Sequence, residues 1–352
     1  SLNEQMQWAI ENKNAMVGFG KRAYLFSDKG NVPEIKEHCN ELLKIYKGLQ
    51  KTESTDSLWR ITIDTNPEDC NLSCTMCEEH SQYSKYIDTL YKETGVKRRR
   101  MPVEWLDKIF KQAKGMGVKE IIPSTMGEPL LYKGIERTYE LAKENQIKIN
   151  LTTNGTFPKK SVVEWAKIIV PQTSDVKISW NGSTAETSAE VMVGIDFENA
   201  VNNVKQFVEF RNQHYKNGGN YCRVTFQLTF MQNNMHELAE IIKLAAYLDV
   251  DRVKGHHLWA HFDEIKKLSM KADSSSINKW NGYVNEALAA ADECRRPNGD
   301  KVLLENIYLL EDIEKKEVPH NYSCPFLKKE IWISATGKIS PCCAPDKERD
   351  KL

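Results

Sequence analysis

An α/β fold around a parallel sheet is what the chain predicts, and two observations predict it. Strand-like and helix-like segments alternate in series, and the polar loops follow the strand-like ones. The strand candidates are β-branched or apolar runs at 59–64, 120–123, 148–153, 176–180, 223–230 and 252–258. Helical periodicity fills the intervals at 103–116, 135–145, 161–168, 197–214 and 235–248. In 103–116 the residues Trp105, Leu106, Ile109, Phe110 and Ala113 share one helical face; in 235–248 Leu238, Ile241, Ile242, Ala245 and Ala246 do so. Six β/α units in series give parallel pairing, in an open doubly wound sheet or a closed or partly closed barrel; periodicity does not choose.

In β/α barrels the chemistry sits in the loops that leave the carboxyl ends of the strands. Three cysteines, Cys70, Cys74 and Cys77, follow the first strand candidate, and Met126-Gly127-Glu128-Pro129 follows the second. Thr152-Thr153-Asn154-Gly155 ends the third, and Ser179-Trp180-Asn181-Gly182 the fourth. Gln232-Asn233-Asn234 follows the fifth and His256-His257 ends the sixth. Random placement would have scattered these groups over both ends.

Composition narrows the class. The 352 residues suit one large domain with additions or two domains, and 40% hydrophobic residues suffice for a sizeable core. No apolar stretch reaches the roughly 18 residues of a membrane span. Basic and acidic residues balance at 49 each, so no global field draws nucleic acid or an anionic membrane, and neither is expected as a partner. Lys97-Arg98-Arg99-Arg100 reads as a solvated loop, with a contact for an acidic or phosphorylated substrate as the alternative. Nine cysteines, an odd number, and no signal-peptide pattern at the start predict reduced thiols and the cytoplasm.

The Cys70-x3-Cys74-x2-Cys77 run fits three corners of an iron–sulfur cube. Four cysteines would close a cubane; three leave one iron open to an outside ligand. A zinc site would show paired Cys-x2-Cys knuckles or Cys/His spacing, although His80 stands near enough in sequence to be a fourth ligand. An iron–sulfur electron carrier would need a fourth thiolate near the triad.

The triad spacing, with Met76 before the last cysteine, resembles the signature of the radical S-adenosylmethionine (SAM) superfamily. Met126-Gly127-Glu128-Pro129 resembles that family's Gly-Gly-Glu-Pro element, with Met126 where a glycine is usual. The resemblance implies a partial (β/α)6 barrel and a [4Fe-4S] cluster whose free iron is chelated by SAM. In it, Gly127, Glu128 and Pro129 would receive the SAM ammonium group, and Asn154 and Ser179 would meet its ribose and carboxylate. The backbone near His256, His257 and Leu258 would pack adenine. The bland readings are turn residues for Asn154 and Ser179, and structural histidines at 256 and 257.

Near the carboxyl terminus, Cys324-Pro-Phe precedes Trp332-Ile-Ser-Ala-Thr-Gly337-Lys-Ile-Ser-Pro-Cys342-Cys343. Alternating Ile331, Trp332 and Ile333 before a Thr-Gly turn read as a β-hairpin. The pattern resembles the first half of a SPASM or twitch auxiliary-cluster domain, which implies Cys324 and Cys342 as ligands of a possible second [4Fe-4S] cluster. A reduced cysteine pair beside a hairpin is the plain alternative. The expected organisation is an N-terminal helical extension (1–57), the barrel (58–258), a helical bridge (259–320) that closes over the substrate, and the auxiliary-cluster segment (321–352).

Function follows from the resemblance: reductive cleavage of SAM to a 5′-deoxyadenosyl radical, then hydrogen abstraction from a small-molecule or peptide substrate. Oxidative modification of a peptide or of a carbohydrate or aminocyclitol-like substrate is the expected outcome, with flavodoxin or ferredoxin as reductant. Redox-neutral epimerisation is the alternative, with Cys222, Cys294 or Cys343 as hydrogen-atom donor.

Overall fold

The computed structural model describes residues 58–124, 126–311, 326 and 329–341. The expected N-terminal extension, and Cys324, Cys342 and Cys343, lie outside the described residues. One sheet organises the rest. Its strands are β1 (Arg60–Ile63), β2 (Glu120–Ile122), β3 (Lys148–Thr153), β4 (Thr173–Ser179), β5 (Arg223–Phe230), β6 (Arg252–His257), β7 (Leu303–Glu305), β8 (Glu330–Ile333) and β9 (Ile339–Ser340). They lie in the order β7-β6-β5-β4-β3-β2-β1-β8-β9. Every pairing is parallel except the β8–β9 hairpin.

Helices alternate with the strands as the periodicity predicts. They are α1 (Tyr86–Thr94), α2 (Val103–Gly115), α3 (Ile135–Asn145), α4 (Val162–Ile169), α5 (Ala185–Val191), α6 (Phe197–Lys216), α7 (Leu238–Tyr247), α8 (Asp263–Lys266) and α9 (Ser274–Glu293). Local chemistry fixes several starts. Ser161 and Glu164 form a reciprocal capping box on α4, Asp196 caps α6 and Asp273 caps α9. The outer face of the sheet carries Ile61, Ile121, Leu151, Ile178, Phe226 and Leu228, all buried under the helices in one apolar core.

The opposite face is polar. Arg60 donates to Glu120, Asn150 and Ser174 also donate to Glu120, and Arg252 pairs with Asp175 and Glu305. Lys177 on β4 lies within electrostatic reach of Glu120 on β2 and Arg60 on β1. The polar face lines the interior of a partial barrel whose outer, apolar face is covered by the helices.

Three features depart from the sequence reading. The segment after 258 contributes β7, a seventh parallel strand beside β6, too short at three residues to show periodicity. The long α9 packs on α7, and Trp280 reaches Phe230 on the outer face of the sheet; the expected closure over the substrate is not what α9 does. The hairpin forms as read, with Gly337 at φ +84°, and β8 also pairs in parallel with β1, so it extends the barrel sheet.

Candidate active site

The loop after β1 brings Cys70, Cys74 and Cys77 to the carboxyl end of the sheet. Its path is set by contacts on three sides. Ser73 N and Thr75 N donate to the carbonyls of Val193 and Val191, 2.9 Å each, which ties the cysteine loop to the segment after α5. On the second side Gly127 sits at φ +73°, and a Cβ there would lie 2.4 Å from the Asn66 carbonyl oxygen. Glu128 N donates to Asp69 O at 2.7 Å, and Asn66 Nδ2 to Glu128 O at 2.9 Å. Only glycine permits this approach of the second loop to the first.

The third side is the basic run, which is not the free solvated loop expected of it. Arg99 bonds Glu68 through its backbone N–H (2.6 Å) and its guanidinium, and also reaches the Tyr86 hydroxyl. Arg100 engages both carboxylate oxygens of Asp69. Glu68 and Asp69 precede Cys70, so the arginines clamp the base of the cysteine loop. Sequence adjacency alone gave no sign of this pairing.

An apolar shell closes around the cysteines. Leu72, Val191, Met192 and Met231 are buried together, with Cys70, Cys74, Met76 and Leu258 packed against them. Burial pushes all three thiols up, Cys77 to about 11, with repulsion from Cys77 and Cys70 adding to the rise at Cys74. A neighbouring positive charge, as of a metal, is what would convert such thiols to thiolates. Among the described residues no three His, Cys, Asp or Glu side chains gather as a single metal ion requires. A cubane asks for less, because each thiolate binds a different iron, and this donor set fits it. His80 is spent elsewhere: its Nε2 lies 3.0 Å from Pro67 O.

The sequence-predicted SAM residues divide. Gly127 lies against the cysteine loop, Pro129 is buried in the turn that follows it, and Met76 and Leu258 join the apolar shell. Asn154 Nδ2 lies 3.8 Å from Cys70 Sγ, and with Ser179 it lines one small cleft bordered by Trp180, Asn181 and Met192. The Asn154 amide oxygen also accepts from Thr156 N, so the turn role is real as well. His256 faces the barrel interior beside Gln227.

Others brace the site or lie away from it. The Glu128 carboxylate is 1% exposed and accepts from Leu130 N, Thr153 Oγ1 and Asn154 N, so it braces the third strand end. Burial raises it to about 7 against those hydrogen bonds. His257 points outward between Phe230 and Trp280, with both ring nitrogens unpartnered, and burial lowers it to about 4. Cys222 precedes the first residue of β5, buried in the core, about 25 Å along that strand from the carboxyl end. Cys294 ends α9 beside Arg296, which pairs with Asp249 and Asp251 at the amino end of β6.

Two supports escaped the sequence reading. Glu237 accepts hydrogen bonds from Ser183, Thr184 and Thr187, locking the fourth strand-end loop to the fifth. Burial opposes its charge, but those hydrogen bonds hold it at about 2. Asn234, fully buried, bonds Asn181 O and Thr229 O. Asn234 stands in the polar run noted after the fifth strand; Glu237 lies within a helical pattern, where an acid looks like surface.

No curated protein matches the chain. Among solved structures, Streptococcus suis SuiB bound to S-adenosylmethionine superposes with a TM-score of 0.56 at 19% identity, covering 96% of this chain and 72% of that one. Native anSMEcpe with bound AdoMet superposes with a TM-score of 0.55 at 18% identity, covering 81% and 74%. These likenesses are to the fold. The model of the radical SAM superfamily matches residues 67–245, more than half of the chain, and spans the cysteine loop, the Gly127 turn and the strand ends through β5. The chain belongs to the radical SAM superfamily.

Proposed function

We propose that the protein is a SPASM/twitch-type radical SAM enzyme that oxidatively modifies a peptide held in the concave interior of its barrel. The observation that carries this reading is the convergence of Cys70, Cys74 and Cys77 with the Gly127 turn at the carboxyl ends of the strands. The superfamily uses SAM and a [4Fe-4S] cluster, which when bound and reduced supply a 5′-deoxyadenosyl radical that takes hydrogen from the substrate.

The chain's own part is to hold and to exclude. Cys70, Cys74 and Cys77 would hold the cluster through their thiolates. Gly127 lets backbone approach, while Asn154, Ser179, His256 and Leu258 border the space for SAM. Leu72, Met192 and Met231 keep water from the reacting atoms.

A peptide is placed before a carbohydrate-like substrate because SuiB has been solved with its precursor peptide SuiA and anSMEcpe with the Cp18Cys peptide. Cys222 and Cys294 lie toward the amino ends of the strands, which leaves Cys343 as the hydrogen-atom donor of the epimerase alternative. Cys324 and Cys342 are proposed ligands of an auxiliary cluster that accepts the substrate's electron; flavodoxin or ferredoxin is the proposed reductant and the cytoplasm the proposed compartment. Among the described residues no helix is long and apolar enough to cross a membrane.

The test is anaerobic reconstitution, then dithionite and SAM, with 5′-deoxyadenosine read by mass spectrometry beside iron content. The nucleoside is expected from the native chain and not from Cys74→Ala. About four irons per chain indicate one cubane, about eight a second. An intact reducible cluster that yields no 5′-deoxyadenosine overturns the enzyme reading in favour of an electron carrier.

A further inference from the structure

Beside the cysteine loop lies a cavity that the site described above leaves unused. Its volume is about 430 Å3, within the roughly 300–1,000 Å3 of small-ligand sites. Glu78, Tyr83 and Tyr86 line it from the chain that follows the cysteines, and Trp259, His261 and Phe262 from the loop after β6. Its walls are aromatic. Trp259 stacks on His261 with ring centroids 6.2 Å apart, His261 meets Phe262 at 6.2 Å, and Phe262 meets Tyr83 at 6.3 Å. Trp259 is 64% exposed and Tyr83 36%, so aromatic surface at this cavity is left uncovered.

Glu78 is the one acid in this lining. Its side chain is 13% exposed, yet among the described residues its carboxylate accepts no hydrogen bond, and its one ion-pair contact is His261 Nδ1 at 3.9 Å. Lys85 also lines the cavity, but it is exposed to water at the start of α1 and makes no pair with Glu78 among the described residues. A carboxylate mostly removed from water lacks a partner, and the negative faces of aromatic rings attract the same partner that it does. Both ask for an organic cation.

Position ties the cavity to the reaction. Glu78 follows Cys77 directly, and Trp259 follows Leu258, which packs against the apolar shell around the cysteines. Successive residues stand about 3.8 Å apart, so the cavity adjoins the cluster end of the barrel.

We propose that this cavity is a substrate subsite that takes a basic side chain, lysine or arginine, of the peptide. The apolar stem lies along Tyr83, Trp259 and Phe262, and the charged tip meets Glu78. The assignment rests on the peptide reading given above, and it narrows the substrate class to peptides with a basic residue close to the residue that loses hydrogen.

The experiment uses protein reconstituted anaerobically and loaded with SAM, so that the SAM site is filled before the probe is added. Equilibrium dialysis compares N-acetyl-lysine methylamide with its uncharged analogue N-acetyl-norleucine methylamide, and iron is counted in every preparation so that binding is scored per cluster. The lysine derivative is expected to bind about tenfold more tightly than the norleucine derivative. Glu78→Gln is expected to weaken the lysine derivative about tenfold, and Trp259→Ala about fivefold. Trp259 is exposed, and its loss leaves the fold standing, so this variant keeps the test decisive if Glu78→Gln disturbs the neighbouring cysteine. Equal binding of the two derivatives, or undiminished binding by Trp259→Ala, overturns the proposal. Production of 5′-deoxyadenosine by the native preparation is scored separately: its absence condemns the enzyme reading, while its presence with no preference for the lysine derivative condemns only the subsite.

Discussion

Gly127 and Glu237 do related work at the rim of the barrel by different physics. At Gly127 the requirement is steric: φ is +73° and the Asn66 carbonyl oxygen occupies the place of a side chain. Gly127→Ala adds left-handed strain of about 1–2 kcal/mol and pushes the 66–69 turn away, so it is expected to lose cluster iron before it loses fold. Iron content measured beside thermal unfolding separates the two. At Glu237 the requirement is electrostatic. Its carboxylate is held at about 2 against an ordinary 4.5, so its contribution to stability is full above pH 4.5 and is lost as pH falls toward 2. Glu237→Gln is expected to cost about 2 kcal/mol at neutral pH, with the difference from the native chain closing below pH 4.5. Urea unfolding as a function of pH checks the sign as well as the size.

At the level of elements, the cysteine loop is carried between three neighbours: the Gly127 turn, the segment after α5 and the run before α2. The arginines of that run combine with carboxylates of low exposure, 0% at the Glu68 side chain and 17% at that of Arg99. Removing one partner of a buried pair leaves the other charge stranded, which costs about 3–5 kcal/mol. Arg99→Ala is therefore expected to speed iron release from the reconstituted protein to a chelator, with the helices unchanged by circular dichroism. Unchanged release would mean that the clamp does not hold the loop. The hairpin of β8 and β9 is a second case of an element doing more than its pattern announced, since β8 completes the barrel edge beside β1.

Over the whole molecule the sheet has two ends with separate tasks. The carboxyl end gathers the cysteines, the Gly127 turn and the cleft of Asn154 and Ser179. The amino end is closed by a buried network in which Arg211, with no exposed surface, bonds Asp251, Asp249 O, Cys222 O and the Tyr221 hydroxyl, and Arg296 pairs with Asp249 and Asp251. Arg211→Met is expected to destabilise the chain by about 3–5 kcal/mol in urea unfolding, while the folded fraction binds as much iron as the native protein. A loss of iron in proportion to nothing but Arg211 would show the two ends to be coupled.

The sequence by itself determined the parallel α/β fold, the strand-end location of the polar loops and the cysteine triad. All of these are local: period, β-branched runs and spacing are written along the chain, and β3, β5 and α3 fall where their patterns put them. Only the tertiary structure decided which partner each side chain meets. It turned Glu128 into a brace, sent His257 outward and left Cys222 at the far end. It also set Arg99 on Glu68. These outcomes depend on the curl of the sheet and on the parity of each strand, quantities set by packing between segments distant in sequence. A single residue's type carries no record of either.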